Sequence, residues 1–230
     1  MLLEQSSGTD TTRVLIDTSP DMREQMLDAN VSALDGVWYT HEHADHTHGI
    51  DELRVFFLTQ KKRIPVWADE ATAAMLKNRF GYCFTSPAGS DYPPILSHMP
   101  MQAGQNIETV GAGGSLSGLP FKVHHGNIDA LGFRVGNVAY SPDVNGIPVE
   151  SLAALAGLDV WIIDALRRKP HPSHFSLPET LHWIERIKPK QAIITNLHVD
   201  LDYDTLCQEL PPHIRPAFDG IVVEITHATN

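Results

Sequence analysis

One stretch limits this chain more than any other: "VWYTHEHADHTHG" at positions 37–49. An apolar run ends there, and four imidazoles and two carboxylates follow within eight residues. Groups that need water or a metal do not follow a buried strand without partners. In an extended strand, side chains two apart face the same way. His41 and His43 therefore point together, and Glu42 points away. Two imidazoles on one side make half of a tetrahedral metal site. Asp45 and His46 come after the chain turns and reach a different point, where a second divalent metal is the economical use for them. His48 falls outside this spacing and is expected to be a solvent or supporting histidine. Nitrogen and oxygen ligands of this kind suit Zn or Mn, and Fe fits as well.

The rest of the chain supplies a frame. Its 230 residues suffice for one domain with a substantial core, expected to span 1–230. No apolar run reaches the roughly 18–20 residues of a membrane span. The first residues, "MLLEQSSGTDTTR", lack the basic and apolar regions of a signal peptide. Cys83 and Cys207 are the only cysteines and lie far apart, which points to a reducing, cytoplasmic setting. A net charge of −11 argues against general nucleic-acid binding. It leaves room for a small phosphate ligand, because a bound dication reverses the local field.

Short β-branched runs alternate with helical patterns, the mark of an α/β layered fold. Strands are expected at 13–17, 37–40, 64–68, 107–110, 120–124, 131–135, 138–141, 160–164, 192–196 and 221–225. Gly136-Asn137 suits a two-residue hairpin turn. Ser176, Leu177, Pro178 and Glu179 form a capping box. Leu177, Leu181, Ile184 and Ile187 then recur at helical spacing as far as Pro189. Further helices are expected from Pro20 and at about 49–60, 70–79, 149–156 and 203–209. The stretch 81–118 is the loosest, and "SPAGSDYPP" at 86–94 reads as an irregular excursion or a flap.

The H-x-H-x-D-H run at 41–46 resembles the signature of the metallo-β-lactamase superfamily. That resemblance implies a four-layer αββα sandwich and further ligands at the ends of later apolar runs. "FKVHHGNIDALGFRV" offers His125, which shares a strand face with Phe121 and Val123, with His124 as the alternative. "VAYSPDVNG" offers Asp143 as the carboxylate bridging two metals. "AIITNLHVDLDY" offers His198. Asp17, in "VLIDTSPD", would support the metal loop from behind, and Asp164 ends its strand similarly. The implied set is His41, His43 and His125 on one metal, Asp45, His46 and His198 on the other, and Asp143 shared. Two such dications lower the pKa of a shared water for attack on a carbonyl or a phosphorus.

"LGFRV", "SPDV", "PHPSH" and "TNLHVDLDY" in this order resemble, more narrowly, the phosphodiesterases of the bacterial carbon–phosphorus lyase (phosphonate) pathway and their relatives. In that branch His174, just ahead of a capped helix, would contact the scissile phosphate or protonate the leaving alkoxide. Asp45 and His174 are thus the catalytic candidates, and Arg167 and Arg168 are candidates for phosphate contact. The implied substrate is a small cyclic ribose phosphate or a nucleotide-like phosphodiester. By the same comparison Met1 already lies inside the first sheet, with the leading strand missing. An open edge near "LLEQ" would invite pairing with a second copy as a homodimer. Three other readings compete. They are a tRNA 3′-processing endonuclease, a thioesterase or glyoxalase-II-like carbonyl hydrolase, and a non-enzymatic nucleotide-binding protein. The acidic balance and the absence of a basic insertion weigh against the first.

Overall fold

A computed structural model describes residues 1–225. The chain opens with β1 (Leu2–Ser7) and β2 (Asp10–Ile16), an antiparallel pair, then α1 (Met22–Asp28). β3 (Gly36–Trp38) runs into the His-rich loop, whose single helical turn is α2 (Ala44–Thr47). After it come α3 (Leu53–Gln60), β4 (Ile64–Ala68), α4 (Glu70–Phe84) and β5 (Leu96–Pro100). The first sheet has the order β1-β2-β3-β4-β5, parallel except for its first pair.

The second half brings β6 (Ile107–Gly111), β7 (Gly114–His125), β8 (Ile128–Val135) and β9 (Val138–Ser141). A 3-10 segment at Val149–Leu155 leads to β10 (Val160–Asp164). Then follow α5 (Leu177–Ile187), β11 (Gln191–Thr195), α6 (Tyr203–Glu209) and β12 (Ile214–Pro216). The second sheet has the order β12-β11-β10-β9-β8-β7-β6. Strands β9 to β12 pair in parallel and β6 to β9 antiparallel.

Strand alternation builds the layers. Val14 and Ile16 of β2, Trp38 of β3 and Trp67 of β4 meet Leu116, Leu131 and Phe133 of the second sheet. Leu15, Val37 and Val66, pointing the other way, pack with Met22, Met26, Leu53, Phe56 and Leu76 of the helices. On the far side, Val123, Trp161, Ile163 and Ile194 pack with Leu177 and Ile184 of α5. The result is helix, sheet, sheet, helix: the αββα sandwich that the resemblance implies. Between the sheets the buried Trp38 indole N–H finds a partner, donating to Thr109 Oγ1 at 3.0 Å. Gly118 makes room for this ring, since a Cβ there would sit 2.4 Å from Trp38 Cζ3.

Several expected elements are corrected. The 37–40 ladder stops at Trp38: Tyr39 still bonds to β4 of its own sheet, and Thr40 turns to meet β8 of the second sheet. Tyr39 N donates to Trp67 O, and Leu131 N donates to Thr40 O. β5 lies inside the stretch that reads as loosest, whereas 86–94 is irregular as expected. Residues 221–225 form no strand. Ile214–Pro216 takes that edge of the second sheet, and β-propensity without a partner edge makes no ladder. β1 is an edge strand of the first sheet, as "LLEQ" suggests. No helix among the described residues is long and apolar enough to cross a membrane.

Gly49 seats the His-rich loop. Its N–H donates to Thr18 O at 3.0 Å, and a Cβ there would lie 2.0 Å from Ser19 O. Backbone atoms cannot step aside as a flexible side chain can. Gly49→Ala is therefore expected to destabilise the fold by about 3 kcal/mol or more, the upper range for overpacking. Urea denaturation checks this, and a midpoint equal to the parent's would remove the argument.

Candidate metal centre

The site lies where strands of both sheets end. The β3 end supplies His41 and His43. Asp45 and His46 sit on α2, His125 ends β7, and Asp143 follows β9. Two groups of donor atoms converge, one of His41, His43, His125 and Asp143 and one of Asp45, His46 and Asp143. One carboxylate oxygen ties them together. Asp143 Oδ2 lies 3.7 Å from His41 Nε2, 3.5 Å from His125 Nε2 and 3.4 Å from His46 Nε2. His43 Nδ1 and His125 Nε2 are 3.0 Å apart. Asp45 Oδ2 stands 3.4 Å from His46 Nε2.

Three of these imidazoles, His41, His125 and His46, are aimed by their other nitrogen, as metal-binding histidines usually are. His41 Nδ1 meets Thr40 Oγ1 at 2.9 Å, which leaves Nε2 buried and unpartnered. His125 Nδ1 donates to Ser173 O at 2.7 Å. His46 Nδ1 donates to Asp17 Oδ2 at 2.8 Å. A buried nitrogen with no partner, facing two imidazoles and a carboxylate, is what a divalent metal would satisfy. The residues present therefore fit the metals that the sequence implies.

The charges agree. Burial and the neighbouring His46 push His41 down to about 3, so it is a neutral imidazole ready to ligate. Burial likewise lowers His125. Burial works against the ionised form of Asp143, but the imidazoles of His46, His41 and His174 hold its pKa below the usual value. Around His46, burial is outweighed by the carboxylates of Asp17, Asp143 and Asp45, which push it up to about 12. Three acids around one imidazole form a pocket that calls for positive charge.

Asp17 braces the loop from behind. Its backbone is left-handed at φ 60°. Oδ1 accepts from Thr40 N, and Oδ2 accepts from Thr40 Oγ1 and His46 Nδ1, each at 2.8 Å. Asparagine tolerates this backbone, so Asp17→Asn changes charge and acceptor capacity while keeping shape. It is expected to weaken metal binding on the order of 10- to 100-fold, the usual effect of losing a ligand's support. Titration of the metal-free protein measures it, and unaltered affinity would remove Asp17 from this role.

His125, not His124, reaches the cluster. His124 is half-exposed and pairs with Asp129 at 2.9 Å. His174 stands beside the donors, its Nε2 3.9 Å from Asp143 Oδ2 and its Nδ1 donating to Asp164 Oδ2 at 2.8 Å. His171 stacks on it at 5.2 Å between ring centroids. His48 packs on Phe80, outside the donor groups. Arg167 spends its guanidinium on the carbonyls of Lys169 and Pro170, and Arg168 pairs with Glu209.

The expectation for His198 is corrected. Its side chain is 56% exposed, joins neither donor group and meets Asp200 at 3.3 Å. β11 ends at Thr195, and Asn196 turns left-handed at φ 65°. The residue facing the site there is Asn196, whose Nδ2 donates to Asp143 Oδ1 at 3.2 Å. Reading the sequence for histidines passed over it, yet the strand-end position that points to Asp17 and Asp164 points equally to Asn196.

A double sandwich with imidazoles and carboxylates converging at its strand ends is built as a metal centre. Residues 12–196 match the family described as the beta-lactamase superfamily domain, and the chain belongs to that family. A diphosphatase from the PhnP family superposes with a TM-score of 0.82 at 34% identity, covering 92% of this chain and 81% of that one. The chain is also 31% identical over 214 residues to an octanoyltransferase of Porphyromonas gingivalis (strain ATCC BAA-308 / W83). The match takes in 91% of this chain but only 42% of that protein's length. The short form of human tRNase Z shares the fold, with a TM-score of 0.66 at 15% identity over 99% of both chains.

Proposed function

We propose that this hydrolase is a phosphodiesterase acting on a small nucleotide-like or cyclic ribose phosphodiester, with Mn or Zn in two metal positions. The observation that carries the reading is His174. It lies against the donor groups without belonging to either, and Asp164 fixes its ring. Burial opposes its protonation, but the hydrogen bond and charge of Asp164 raise its pKa above the ordinary histidine value. A protonated Nε2 aimed into the site is suited to a leaving alkoxide, or to a phosphoryl oxygen gaining charge.

Bound metals would neutralise phosphate charge and lower the pKa of water. The chain's own residues do the rest. As a water oxygen bonds to phosphorus, its own proton passing to solvent, and the ester P–O bond breaks, His174 gives its proton to the departing oxygen. Asp164, bonded at Nδ1, keeps the ring oriented throughout. The 34%-identical relative is called a diphosphatase, which supports phosphorus rather than carbon as the electrophile. A thioesterase would use the same donors and leave His174 idle.

The test is turnover of an aryl phosphodiester by protein reconstituted with Mn or Zn, against a chelated control and a thioester. Metal-dependent cleavage of the phosphodiester supports the reading. Thioester cleavage with the phosphodiester ignored would overturn it.

A further inference from the structure

The two donor groups are unequal. The first offers three imidazoles and a carboxylate, a full tetrahedral set. The second offers one imidazole and two carboxylates, one of them shared, and Asp45 is 74% exposed. The side chain that meets the shared Asp143 from the end of β11 is Asn196, whose amide N–H donates to Asp143 Oδ1. In this orientation the amide presents no lone pair to a cation. Turned over, it would present a neutral carbonyl oxygen, a weaker donor than imidazole or carboxylate for Zn. The nearest histidine in the sequence, His198, is held away by Asp200.

We propose that the chain has one tight and one weak metal position, and that Asn196 makes the second weak. The inference rests on the metal-dependent reading above and concerns this chain's own departure from a symmetric pair. It assigns Asn196 as the residue that sets second-site occupancy, so that the second ion exchanges while the first stays.

Metal content tests this without reference to turnover. The metal-free protein is titrated with Zn by calorimetry, and ions are counted after gel filtration. Mn titration followed by electron paramagnetic resonance reports when two ions become coupled. One Zn per chain is expected to survive gel filtration. The second should bind at least about tenfold more weakly, and Mn coupling should appear only with excess metal.

Asn196→His should tighten the second site on the order of 10- to 100-fold and leave the first unchanged. Histidine is among the residues that accept a left-handed backbone. Two equally tight Zn ions in the parent protein would overturn the proposal. So would Asn196→His, folded by circular dichroism, with unaltered second-site affinity. If that variant does not fold, the parent titration still decides. Binding of no metal at all would instead remove the reading on which the inference rests.

Discussion

Asp143→Ala is expected to strip metal from both positions and reduce phosphodiester turnover to that of the chelated protein. Among the described residues no other side chain belongs to both donor groups, and its Oδ2 lies within 3.7 Å of the Nε2 atoms of His41, His46 and His125. Removing it takes a ligand from each position at once. It also takes from the buried His41 and His125 the carboxylate that faces their Nε2 atoms. The loop itself is held by other hydrogen bonds, so its shape does not depend on this carboxylate. Val144 N donates to Asp164 Oδ2, Phe175 N to Val144 O, and Asn145 N to His124 O. Near-ultraviolet circular dichroism should therefore resemble that of the metal-free parent. Full metal content in a folded Asp143→Ala protein would show that the groups do not share this oxygen.

His174→Ala separates chemistry from metal binding. Metal content should stay at the parent level, because His174 stands outside both donor groups. kcat for an aryl phosphodiester should fall by about 10²- to 10⁴-fold, the range for a positioned general acid. A substrate with a more acidic leaving group needs less protonation and should lose less. If kcat is unchanged, His174 has no part in proton transfer. If metal content drops with it, the residue is a ligand and the proposed division of roles is wrong.

Much of this site was legible in the sequence, for a local reason. His41, His43, Asp45 and His46 lie within six residues at the end of one buried run. Strand geometry alone sets which of them point together. Asp17 and Asp143 were legible through the family resemblance, which expects acids just past apolar strands. The helix α5 announced itself through its capping box, which forms with Glu179 accepting from Ser176 N at 2.8 Å. The choice between His124 and His125 needed the partner strand. The register His125↔Ile128 and the carbonyl of Ser173 fix which ring is buried.

The donor types, the loop that carries most of them, and the alternating layers could be read along the chain, because periodicity and adjacency are local properties. What faces Asp143 from the last site strand follows instead from strand pairing. β11 stays in register with β10 up to the pair Asp164↔Thr195. At Asn196 the backbone turns left-handed, and His198 two residues on is carried out to solvent. Where a strand leaves its ladder depends on its neighbour's length. That neighbour lies about thirty residues earlier in the chain, beyond the reach of any local pattern.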